Sequence, residues 1–140
     1  MCRVDRVERR GMDARGVVLI GGLPGDDPYS LGLAARLRRS GVLVRRATGR
    51  AEVLRAVEAR EASTAVLWDT PEVDGLSLLR MIRTIDGGLP SVLVTAAPDR
   101  RWLERALALR AETVFSPPVD LERMGCVITR LLERRGRPCD

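Results

Sequence analysis

Few residue types in this 140-residue chain could do chemistry, and that scarcity narrows the possibilities sharply. Histidine is absent and all 24 basic residues are arginine. Ser/His/Asp and Cys/His catalytic groups, histidine phosphocarriers and histidine metal ligands are therefore excluded. Without lysine the chain can form neither a Walker-type nucleotide loop nor a Schiff base. Cys2, Cys126 and Cys139 are odd in number and widely spaced, with no CxxC pair, and read as reduced thiols. What remains are carboxylates and a hydroxyl that follow short apolar runs. Asp26 and Asp27 follow Val17 to Ile20, Asp69 directly follows Ala65 to Trp68, and Thr95 directly follows Ser91 to Val94. No catalytic set emerges from these, and we expect a binding protein rather than an enzyme.

The elements that must position these residues alternate along the chain. Short β-type apolar runs are separated by longer amphipathic segments, the signature of a parallel sheet covered by helices. The strands are expected at Val17 to Ile20, Val42 to Val44, Ala65 to Trp68, Ser91 to Val94 and Thr113 to Phe115. Helical spacing is expected between Pro28 and Gly41, over Glu52 to Arg60, and after Asp74-Gly75, where Leu78, Leu79, Ile82 and Ile85 recur. Two more helices are marked by Trp102, Leu103, Ala106, Leu107 and Leu109, and by Leu121, Met124, Val127, Ile128, Leu131 and Leu132. Five such units predict a three-layer, doubly wound (βα)5 domain with a five-stranded parallel sheet. In such sheets active groups collect at the carboxyl ends of the strands, which points to loops 21 to 28, 69 to 74, 95 to 99 and 115 to 118.

The chain has the length of one domain, and its 45% apolar and 31% charged residues are ordinary for a folded globular protein. We assign residues 1–15 to a flexible basic leader, 16–135 to the domain and 136–140 to a short tail. No apolar run is long enough to span a bilayer and the first residues lack a signal-peptide pattern, so a cytoplasmic location is expected. The net charge of +5 invites a nucleic-acid partner. Discounting the two termini leaves a small excess of arginine, read here as a mixed surface that argues against that partner.

Three strings in this order resemble the receiver domain of bacterial response regulators, the CheY-like module with a flavodoxin-like sheet of strand order 2-1-3-4-5. They are Asp74-Gly75-Leu76-Ser77-Leu78-Leu79-Arg80-Met81-Ile82-Arg83, Leu89-Pro90-Ser91-Val92-Leu93-Val94-Thr95-Ala96 and Pro118-Val119-Asp120-Leu121-Glu122. The resemblance spans about residues 17 to 135. It implies a phosphoacceptor aspartate after the third strand, an acidic pair after the first to hold Mg2+, a hydroxyl after the fourth and a lysine after the fifth.

Each implied position can be checked in the sequence. Asp69 is the acceptor when counted from the strand, whereas counting back from Asp74-Gly75 puts Leu67 there. The end of strand hydrophobicity at Trp68 favours Asp69, and capping of the third helix is its other reading. Gly21 and Gly22 stand where the acidic pair belongs. Asp26 and Asp27, displaced along the loop, either supply Mg2+ ligands together with Asp69 or cap the first helix, as Asp ahead of a proline-started helix commonly does. Thr95 matches the hydroxyl. Pro117 replaces the lysine, and Val114 occupies the aromatic switch position with Phe115 beside it on the opposite face.

A carboxylate attacks a phosphate dianion poorly unless cations neutralise the developing charge. The expected function is accordingly an atypical receiver-like module that works through protein–protein contact, with aspartyl phosphorylation weakened or lost. Its partner would be a histidine kinase, a downstream effector or a second copy, and its expected surface contains Trp102, Arg105, Leu109 and Arg110. The alternatives are an active single-domain regulator phosphorylated on Asp69 with bound Mg2+, and an arginine-rich nucleic-acid binder.

Overall fold

Strand and helix alternate because each apolar run is too short for a helix, and glycine, aspartate or proline lies at or near the end of the first, third and fifth runs. The computed structural model describes residues 16–96 and 98–136, without the side chains of 135 and 136. The leader expected at 1–15 and all but the first residue of the tail lie outside these residues. The strands are β1 (Val17–Gly21), β2 (Leu43–Ala47), β3 (Thr64–Trp68), β4 (Ser91–Val94) and β5 (Thr113–Phe115). Between them run α1 (Pro28–Arg39), α2 (Arg50–Glu58), α3 (Gly75–Ile85) and α4 (Arg100–Ala108), and α5 (Leu121–Gly136) follows β5.

All pairings are parallel and the sheet order is β2-β1-β3-β4-β5. Every residue of β3 and β4 is buried, which explains their unbroken apolar character. Leu19, Leu67 and Leu93 face one helical layer, formed by α2, α3 and α4. Val18, Val66 and Val92 face the other, formed by α1 and α5. Alternate residues thus serve opposite cores, as the period of two requires. Thr64 departs from this economy, since its hydroxyl is buried without a hydrogen-bond partner among the described residues.

β2 differs from its sequence reading. It begins at Leu43 and extends through Arg45 and Arg46 to Ala47, rather than ending at Val44. A strand at the sheet's edge keeps one side open to water, so charged residues belong to it and apolar periodicity does not reveal it. At the end of the sheet away from the strand tips, Arg83 fastens α3 to two segments. Its guanidinium donates to the carbonyls of Leu89 at 2.8 Å, Leu109 at 2.9 Å and Arg110 at 3.3 Å.

Candidate functional site

The register that sets Trp68 opposite Val94 carries Asp69 and Thr95 side by side off the tips of β3 and β4. The Asp69 N–H donates to the Val94 carbonyl at 2.7 Å, continuing the ladder by one residue. The Thr95 hydroxyl, buried with its residue, donates to Asp69 Oδ2 at 2.9 Å. The other carboxylate oxygen is also occupied, because the Gly75 N–H donates to Oδ1 at 2.7 Å. Asp69 therefore ties together β3, β4 and the start of α3. Leu67, the competing position by sequence counting, is fully buried in the core between the sheet and α3.

A short loop makes this tie possible. Thr70 and Val73 exchange backbone hydrogen bonds at 2.9 and 3.1 Å, turning the chain sharply between Asp69 and Asp74. Gly75 then approaches so closely that a Cβ there would lie 3.1 Å from Asp69 Cβ. Asp74 caps α3 by accepting from Leu76 and Ser77 N–H at 3.1 and 3.3 Å. Partial burial of its carboxyl works against ionisation. The N–H and hydroxyl of Ser77, the Leu76 N–H and the charge of Arg105 outweigh it and hold Asp74 below its ordinary carboxylate value.

The tip of β1 is built from backbone. Gly22 has φ of +98° and a Cβ on it would lie 2.4 Å from the Trp68 carbonyl oxygen, while one on Gly21 would lie 2.6 Å from a Val53 methyl carbon. No acidic side chain fits at either position without displacing β3 or α2. Asp27 spends its carboxylate capping α1, accepting from Tyr29 N–H at 2.8 Å and Ser30 N–H at 3.4 Å, with Pro28 at the first helical position. Asp26 is exposed.

The structure thus brings Asp69 and Thr95 together and does not bring Asp26 or Asp27 to them. Among the described residues no three acidic or thiol side chains are grouped to hold a metal ion. The Mg2+ site that the resemblance implies does not fit the residues present, and the capping reading of Asp27 accounts for its geometry. At the β5 tip Ser116, Pro117 and Pro118 are exposed, and none of them carries a charge. Val114 packs toward the α2–α3–α4 core and Phe115 toward the α1–α5 core, so the aromatic ring does lie on the opposite face from the switch position.

The expected partner surface needs correction at two of its residues. Trp102 and Leu109 are partly buried and pack against the α2–α3–α4 core. Arg105 and Arg110 are exposed, the latter donating to the Gly87 carbonyl at 3.3 Å. The apolar groups that α4 presents to solvent are Leu103, 41% exposed, and Leu107, 75% exposed. Both stand in the apolar pattern of that helix, but apolar residues occur nearly all round it, and the pattern does not select the outward face. Beyond α4, a shallow groove of about 350 Å³ runs between β5 and α5, lined by Phe115, Val119, Asp120, Arg123 and Val127 among others.

No family model matches the chain, and no curated protein sequence matches it significantly. Solved structures do. A response regulator receiver domain protein (CheY-like) from Methanospirillum hungatei JF-1 superposes with a TM-score of 0.76 at 20% identity, covering 85% of this chain and 94% of its own. A two-component response regulator from Clostridium difficile gives 0.75 at 20% identity, with 86% and 98% covered. The signal receiver domain of a signal transduction histidine kinase from Syntrophus aciditrophicus gives 0.72 at 23% identity, with 87% and 93% covered. Five parallel strands in the order 2-1-3-4-5 between two helical layers, matched over nearly the whole of these domains, give the chain the fold of CheY-like response regulator receiver domains.

Proposed function

We propose that the chain is a receiver-like signalling module that acts by binding another protein and does not use aspartyl phosphorylation as its switch. One observation carries this reading: both oxygens of Asp69 are engaged inside the protein, and among the described residues no group of three acidic or thiol side chains is placed to hold a cation beside them. Gly75 N–H holds Oδ1 and the Thr95 hydroxyl holds Oδ2, while glycines fill the acidic positions and Pro117 fills the lysine position. An attacking carboxylate needs a free oxygen and positive charge around the incoming phosphoryl group. Here, of the three parts that should surround Asp69, the acidic pair and the lysine are replaced and the hydroxyl of Thr95 is already committed to Asp69 itself.

The surface through which such a module would act is the α4–β5–α5 side. It combines exposed Leu103 and Leu107 with Arg105 and the groove beside β5. Apolar side chains rimmed by charge are the ordinary makeup of a binding patch. A histidine kinase, an effector or a second copy remains the class of partner, and the absence of any helix long and apolar enough to cross a membrane among the described residues agrees with a partner met in solution.

A second reading is kept because Asp69 and Thr95 do meet at the strand tips. In it Asp69 accepts a phosphoryl group and Thr95 turns to bind it. Incubating the full chain with acetyl phosphate and Mg2+ separates the two. The intact mass is expected to stay unchanged, whereas a phosphoryl adduct that disappears in Asp69→Asn would establish the second reading.

A further inference from the structure

We infer that the open edge of β2 is a docking strip for an acidic, extended polypeptide segment, which would add to the sheet as a sixth strand. The inference concerns the opposite edge of the sheet from the α4–β5–α5 side and does not depend on the chemistry of Asp69.

Charge is unevenly distributed along this chain. Residues 28 to 51 contain Arg36, Arg38, Arg39, Arg45, Arg46 and Arg50 and no acidic residue. Removing these six from the 24 arginines leaves 18 against 19 acids, so the whole positive excess of the chain resides in this one segment. The mixed surface expected from the totals is corrected here, because Arg38, Arg39, Arg45, Arg46 and Arg50 are exposed on or beside the edge strand, while Arg36 is partly buried and reaches toward Gly125 of α5. α1 ends with Arg36, Arg38 and Arg39, β2 follows within a few residues and carries Arg45 and Arg46, and Arg50 opens α2 at the far end. A five-residue strand is about 17 Å long, so arginines border the edge from one end to the other.

Among the described residues, the acids that meet Arg45 are exposed ones, Glu61 and Glu52. Arg45 pairs with Glu61 at 3.3 Å, but both side chains are about half exposed, and such a pair exchanges readily for another carboxylate. Arg46, also exposed, donates to the Gly25 carbonyl, a neutral acceptor. Glu52, the first acid after the segment, has its carboxyl drawn below the ordinary value by hydrogen bonds from Thr48 and by the charges of Arg55 and Arg45.

The edge also offers backbone. Among the described residues β2 lies at the end of the strand order and pairs only with β1, so the backbone groups on its other side have no strand partner there. An unpaired strand edge is a template for strand addition, with main-chain hydrogen bonds giving affinity and side chains giving selectivity. Edge arginines guard against pairing with a like-charged copy of the same edge. The same arginines favour a strand that carries carboxylates. The chain's own residues 1–15, with five arginines against three acids, lack that complementarity. Nucleic acid is the other polyanion to consider, but no aromatic residue lies on β2 to stack a base, whereas the open ladder is specific to polypeptide.

The test uses the full chain and two probes, a labelled alternating Glu/Val peptide of about eight residues and a single-stranded oligonucleotide of similar length. We expect the peptide to bind, to weaken steeply as salt rises from about 50 to about 300 mM, and to slow hydrogen exchange at the amides of residues 43–47. The variant Arg45→Glu/Arg46→Glu should lose about tenfold or more in affinity, and Arg100→Glu/Arg101→Glu on α4 should lose none. Arg38→Glu/Arg39→Glu, on an exposed helix end, provides a second variant should the first fail to fold, and should also weaken binding. Three results would each overturn the inference: tighter binding of the oligonucleotide than of the peptide, binding unaffected in a folded variant of the strip, or binding without protection of β2.

Discussion

Two neighbouring corners of this domain are built differently. At the tip of β1 the backbone itself has taken the place of side chains: Gly22 lies against the Trp68 carbonyl, and a carboxylate cannot stand there. At the tips of β3 and β4 the side chains remain, but Asp69 is turned inward to Gly75 and Thr95. One corner holds glycines and the other an acid whose two oxygens both accept hydrogen bonds. The two corners differ in what fills a strand tip: close-packed backbone at one, and a carboxylate hydrogen-bonded within the domain at the other.

The largest expected effect comes from restoring an acid at the β1 corner. Gly22→Asp would force a Cβ into the Trp68 carbonyl at a positive φ, and should cost about 3 to 4 kcal/mol in urea unfolding. Gly25→Asp, in the same loop with nothing within 4 Å of a Cβ, should change stability by less than about 0.5 kcal/mol. Equal losses for both would break the comparison, since the corner would then exclude charge rather than volume.

Gly75→Ala probes the other corner. Asp69, fixed by three hydrogen bonds, has little freedom to give way to a new Cβ at 3.1 Å, and a loss of about 1 to 2 kcal/mol is expected. A neutral or stabilising outcome would show that Asp69 is loosely held. Asp27→Ala should remove a helix cap at the β1 corner for about 1 kcal/mol, with no further effect if Mg2+ is added. A larger loss in the presence of Mg2+ than in its absence would instead make Asp27 a ligand.

The smallest effect is one of pH. Asp74 titrates lower in the folded protein than its ordinary value of 3.8, so its contribution is complete above that value and is lost as pH falls through the lower folded value. The stability difference between the wild type and Asp74→Ala should be constant near neutral pH and shrink on acidification below about pH 4. A difference that grows on acidification would reverse the sign assigned to its capping bonds.

Much of this was legible in the residues. The buried runs of β1, β3 and β4 announce themselves because both faces are apolar, and Asp69 and Thr95 follow from where two of those runs stop. The full extent of β2 was not legible, since Arg45 and Arg46 carry no apolar signal on an edge strand. Nor was the orientation of α4, where Trp102 and Leu109 turn toward the core while Leu103 and Leu107 face water. The tie from Asp69 to Gly75 was hidden for a different reason. A shortened loop appears in sequence as a discrepancy between two ways of counting, and only the fold shows that it draws a helix onto a carboxylate.

The central claim is that Asp69 serves as a structural tie, and its most direct test is the unfolding free energy of Asp69→Ala beside the wild type, each with and without Mg2+. Loss of two hydrogen bonds to an ionised group should lower stability by about 2 to 3 kcal/mol, by the same amount whether or not Mg2+ is present. A variant as stable as the wild type or more so, together with a wild type that Mg2+ stabilises, would show instead a pocket of crowded carboxylates awaiting a cation.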